Sequence, residues 1–102
     1  LPVELMSIHA QLKEENTELT WKTATEINNK GFEIQRAVGD ESNRDEWTNL
    51  GFVEGYNNSL IQRDYLFIAE SPKTGLNYYR LKQNDFDGNF DYSKVIALDF
   101  KN

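Results

Sequence analysis

Cysteine is absent from the 102 residues, and histidine occurs once, at His9. The first absence excludes a disulfide scaffold, a thiol nucleophile and a zinc ribbon together. It leaves the redox compartment open, because a cysteine-free chain folds in either. A lone histidine with no motif-placed nucleophile or second base beside it reads as a solvated strand residue rather than a catalytic one. Basic residues are the minority, 11 against 17 acidic for a net charge of −6. That balance opposes binding to nucleic-acid phosphates or anionic membranes, which need clustered Lys and Arg. No apolar run approaches the ~20 residues of a membrane-spanning helix, so no membrane insertion is expected. There is no phosphate-binding loop, nucleophile elbow, zinc motif or dinucleotide fingerprint either, and the expectation is a chain that is not an enzyme and needs no cofactor. The first residue is Leu1 rather than methionine, which we read as a piece of a longer protein.

What the sequence does contain is aromatic: 13% of its residues, within a hydrophobic fraction of 38%. Large rings supply the burial that offsets chain entropy, and this length suits one domain, taken as residues 1–102. The dominant pattern is alternation with period two in short runs broken by polar, Gly-containing turns. Met6, Ile8, Ala10 and Leu12 alternate with Ser7, His9 and Gln11, and after a turn at Glu14–Asn16, Leu19, Trp21 and Thr23 alternate with Glu18, Thr20 and Lys22. Ala24 to Lys30 is polar and ends at Gly31, so it reads as a loop with one helical turn. Phe32, Ile34 and Val38 resume a strand, followed by Gly39–Glu46, a stretch without apolar side chains expected to be a solvated loop.

Trp47 to Glu54 reads as a strand with Leu50 and Phe52 on one face, and Gly55 to Arg63 as an Asn-rich loop. Tyr65, Phe67 and Ala69 alternate next. In the run from Leu76 to Asn84, Tyr79 and Leu81 face away from Tyr78, Arg80 and Lys82. Asp85-Phe86-Asp87-Gly88 is a hairpin signal, because Gly tolerates positive φ and Asp favours turns. The last strand, Phe90 to about Phe100, carries a bulge near Lys94. About seven strands with no sustained helical period call for an all-β, antiparallel sandwich of the immunoglobulin-like kind.

Several blocks occur in order: Leu1-Pro2-Val3-Glu4-Leu5, Leu19-Thr20-Trp21, Gly31-Phe32-Glu33-Ile34, Gly51-Phe52-Val53-Glu54-Gly55, Asn77-Tyr78-Tyr79-Arg80-Leu81 and Tyr92-Ser93-Lys94-Val95. The succession resembles a fibronectin type III domain. It is similar in particular to the fibronectin-III-like module that sits next to the C-terminal type IX secretion sorting domain in secreted and cell-surface proteins of Bacteroidetes. The resemblance implies a non-catalytic structural spacer and interaction module of a multidomain bacterial protein. It implies a secreted or outer-membrane, cell-surface location in a Gram-negative bacterium, neighbouring domains as partners, and a monomer when isolated. The chain departs from the fibronectin-III pattern where a tyrosine would open the penultimate strand: Asn77 stands there.

Two constellations have ligand chemistry. Asp85, Asp87, Asn89 and Asp91 form an alternating series of oxygen donors that resembles a calcium loop, yet counting from Asp85 the glycine an EF-hand wants at its sixth position is Phe90. A plain hairpin turn is the expectation, with no metal. Trp47, Tyr56, Tyr65 and Tyr78 are the candidate exposed rings. Sugars stack on such rings, so the alternative to a spacer is a carbohydrate-binding accessory module with a polysaccharide, or else a protein, as ligand.

Overall fold

Inward alternation in the second strand decides the architecture. The computed structural model describes residues 3–39 and 46–101. It contains seven strands: β1 (Val3–Lys13), β2 (Asn16–Val38), β3 (Thr48–Ser59), β4 (Arg63–Ala69), β5 (Gly75–Asp85), β6 (Phe90–Tyr92) and β7 (Ile96–Phe100). No helix forms among the described residues. The acidic stretch read as a solvated loop lies outside them, apart from Gly39 and Glu46 at its ends, both exposed.

All pairing is antiparallel, and β2 is the hub, bonded to β1, β3, β4 and β5. Its first half lies between β1 and β4, with Trp21 opposite both Ile8 and Tyr65. Its second half lies between β3 and β5, with Ile34 opposite Gly51 and Leu81. Beyond β5 come β6 and β7. Thr17, Leu19, Trp21 and Thr23 turn inward from one half, and Phe32 and Ile34 from the other. The two sets meet: the Trp21 and Phe32 rings lie edge to face at 5.5 Å, and Tyr65 stacks on Trp21 at 5.5 Å. This common core, completed by Ile8, Tyr79 and Leu81, is that of an all-β domain consistent with a sandwich.

Four local expectations are corrected. Ala24 to Lys30 is not a loop with a helical turn; it lies inside β2, which turns a corner there. Asn28 takes φ 59° and the register shifts on both sides of Asn29, so pairing continues through the bend. In β1 the register shifts between Leu5 and Ser7, which sends Met6 out to solvent and turns Leu5 inward. In β3 a shift opposite Ile34 and Gln35 puts Leu50 and Val53, not Phe52, against the core. Gly55–Ser59 continues β3 instead of beginning a loop. One irregular residue reverses the alternation downstream of it.

Other features match. The β5–β6 hairpin turns at Gly88, φ 95°, with Gly88 N–H donating to the Asp85 carbonyl at 3.1 Å. The last strand is interrupted between β6 and β7, around Lys94. Asn77 is buried and closes the β4–β5 turn: its amide accepts from Lys73 N–H at 3.0 Å and donates to the Lys73 and Gly75 carbonyls at 2.7 and 3.0 Å.

Candidate functional site

The corner of β2 is built around an ionisable side chain. Glu26 is fully buried. Its carboxylate accepts hydrogen bonds from Thr23 Oγ1 (2.8 Å), Asn29 Nδ2 (2.8 Å), Tyr56 N–H (3.0 Å) and the Tyr65 hydroxyl. Burial by itself raises a carboxyl's pKa, but four donors reverse the sign, and Glu26 is held below the ordinary glutamate range. Tyr65 is pushed the other way, first by burial and then by the charge it donates to. The pair is therefore a carboxylate and a neutral phenol at neutral pH. The network continues outward: Gln83 Nε2 donates to Asn29 Oδ1 at 2.9 Å and to Asp85 Oδ1 at 2.8 Å. Every polar atom here spends itself on another part of the fold, so the cluster ties β2, β3, β4 and β5 at one pole.

The oxygen series at the hairpin behaves likewise. Asp85 is nearly buried and bonded to Gln83, Asp87 accepts from Asn89 N–H at 3.0 Å, and Asp91 accepts from Tyr92 N–H at 2.9 Å. Asn89 is exposed. These side chains cap the backbone of the turn, and among the described residues no three His, Asp or Glu side chains gather where an ion would sit. His9 is exposed on β1, at a shallow cleft shared with Lys22 and Asp64.

The candidate rings separate. Tyr65 and Tyr78 are each only 7% exposed, which corrects their reading as exposed rings. Tyr65 is in the aromatic core, and Tyr78 is covered on the opposite face of β5. Tyr56 is exposed, 5.9 Å from Tyr65 and under the Arg63 guanidinium at 4.1 Å. Trp47 is half-buried against Arg80, whose guanidinium lies 4.2 Å from the Trp47 ring and 4.0 Å from that of Tyr92.

That stack opens a face the sequence reading did not assemble. Register places Phe52, Glu33, Lys82 and Tyr92 in one row across β3, β2, β5 and β6. Gln35 lies beside Arg80 in the next row, where its Oε1 accepts from Arg80 Nε at 2.7 Å, and Asn84 lies beside Phe90 in the row on the other side. Lys82 Nζ sits 4.2 Å over the Phe90 ring, and Phe90 meets Tyr92 edge to face at 5.7 Å. Phe86 joins Phe52 as a wall of a cleft of about 360 Å³ on the same face. The signal was available, since Arg80, Lys82, Phe90 and Tyr92 alternate on strands joined by a recognised hairpin. Set beside known proteins, the chain matches no family model, no curated protein and no solved structure.

Proposed function

We infer that the chain is a non-catalytic structural spacer and interaction module of a secreted or cell-surface multidomain protein, built on a fibronectin-III-like, immunoglobulin-like sandwich. The observation that carries this reading is the placement of the two terminal strands. β1 begins with Val3 opposite Glu26, at the pole where Asn29 faces Asp85, whereas β7 ends with Phe100 opposite Gly75. Asp85 and Gly75 are the two ends of β5. Val3 lies beside Leu81 and Gln83, six to eight residues along β5 from Gly75, and at about 3.4 Å per residue the ends lie roughly 20–27 Å apart along a body 41 Å long. A module strung that way holds its neighbours apart, and the buried clasp at Glu26 stiffens the pole that β1 enters.

The order of strands about β2 supports the fibronectin-III part of the reading, with β1 and β4 beside one half and β3 and β5 beside the other. The resemblance extends it to export by the type IX route beside a sorting domain in Bacteroidetes. Fluorophores attached at residues 3 and 101 test the spacer. A fixed, long separation up to a single cooperative unfolding transition is the expected result. Ends that lie close together, or turnover by the purified chain, would overturn it.

A second reading, a carbohydrate-binding accessory module, is favoured by one observation. Phe52, Phe86, Phe90 and Tyr92, four of the exposed aromatic rings, lie on the same face.

A further inference from the structure

Along β5 the outward side chains are Arg80, Lys82 and Asn84, followed in the turn by Phe86. Beside them run Tyr92 and Phe90 of β6, and Trp47 stands at the Arg80 end. Two residues of strand cover about 6.8 Å, so a rail of roughly 20 Å runs from Arg80 to Phe86, with the two cations at one end beside Trp47 and Tyr92 and the Phe90 and Phe86 rings toward the other. The rings remain accessible, with Phe52, Phe86, Phe90 and Tyr92 between 43% and 57% exposed.

The charges on this face are unspent. Arg80 is clamped between two rings and bonded through Nε to Gln35, and among the described residues its two Nη nitrogens take no further partner, a fork of the geometry that takes a carboxylate with two parallel bonds. Neither Arg80, Lys82 nor Lys30 joins an ion pair among the described residues, although the chain as a whole is acidic. Glu33 is the cross-strand neighbour of Lys82 but is engaged by Gln35 Nε2 at 3.4 Å and forms no ion pair with that lysine, and Glu54 lies opposite Gly31. An occupant that uses the whole rail presents anionic groups to the Arg80–Lys82 end and flat apolar faces to the rings.

An extended peptide would bring main-chain groups needing a free strand edge. β5 is paired on both sides, and the β6 edge beyond it is only three residues long. A sugar polymer needs no such edge, because each pyranose offers a C–H face to a ring, and a uronate adds one carboxylate per unit. We propose that the rail formed by Arg80, Lys82, Phe90, Tyr92 and Trp47 binds an acidic, uronate-type polysaccharide. This rests on the carbohydrate-binding reading and names its ligand class.

Affinity electrophoresis of the whole 102-residue chain through gels containing polygalacturonate or alginate tests it, with xylan, a neutral glucan and poly-glutamate as comparators. Retardation by the uronates, weakened by salt and about tenfold weaker in Arg80→Gln and in Tyr92→Ala, is the expected result. Lys82→Gln is a second variant on the rail, and thermal melts establish that each variant is folded. Equal retardation by poly-glutamate, or uronate binding undiminished in folded Arg80→Gln and Lys82→Gln, overturns the proposal. Preference for xylan or glucan overturns it while the carbohydrate reading survives. Retardation by none of the polysaccharides overturns both.

Discussion

Glu26 concentrates more of the chain's physics than any other residue. A buried carboxylate with four donors is favoured in its ionised form, so folding lowers its pKa. The stability it contributes is fully present above the unfolded-state value of about 4.3 and is lost as pH falls through the lower, folded one. Thermal melts should therefore be flat from neutral pH to about pH 5 on this account and decline below it. Tyr65→Phe removes one donor to a charged acceptor, at a cost of about 1.5–3 kcal/mol. The same change raises the folded pKa, so the acid decline should begin at higher pH than in the parent. An acid limb at unchanged pH would show that Tyr65 contributes nothing to holding the charge. None of this is legible in the polar run around Glu26, because a glutamate in a polar stretch that ends at a glycine reads as solvated until its donors from β3 and β4 are in place.

Elements succeed or fail on register. Trp21 is 1% exposed between Phe32 and Tyr65, and its Nε1 has no hydrogen-bond partner among the described residues. Trp21→Ala should cost about 3–5 kcal/mol, read as a fall in the denaturant midpoint; a loss below about 1 kcal/mol would mean that the halves of β2 do not meet there. Gly31 lets β3 approach the strand closely. Its φ is 151°, and a Cβ on it would overlap the Val53 carbonyl and the Phe52 ring, so Gly31→Ala should destabilise by more than about 1 kcal/mol. At the interruption before β7, Ser93 stands in for strand pairing: its Oγ accepts from Leu81 N–H at 2.8 Å and its N–H donates to the Leu81 carbonyl at 2.9 Å. The bulge near Lys94 was readable from the broken alternation of Tyr92, Val95, Ile96 and Leu98. The shifts at Leu5 and Leu50 were not, because an apolar residue lies on either side of each irregularity (Leu5 and Met6, Leu50 and Phe52), so the run reads as alternating in more than one register.

For the molecule as a whole, cohesion comes from hydrophobic and aromatic burial around Trp21, Phe32 and Tyr65. The hairpin carboxylates of Asp85, Asp87 and Asp91 are occupied with Gln83 and with backbone N–H groups. Melting with added calcium and with chelator should give the same midpoint, and a chelator-sensitive midpoint would restore the calcium loop. The acidic balance bears on partners more than on folding, since a net charge of −6 coexists with a face on which Arg80 and Lys82 form no ion pair among the described residues. Net charge averages over surfaces that ligands meet one at a time.

Strand character, the sites of the main turns and the inward set Leu19, Trp21, Phe32, Ile34, Tyr79 and Leu81 follow from the sequence alone. Period-two alternation is a property of the extended backbone and needs no partner to be expressed. Tertiary structure alone decided that Glu26 and Asn29 point inward, that Tyr65 and Tyr78 are covered while Phe90 and Tyr92 are open, and that Arg80 lies between two rings. Alternation says which side chains share a face. Which face another layer covers, and which distant donors arrive to satisfy a buried charge, depends on strands far apart in the chain coming together.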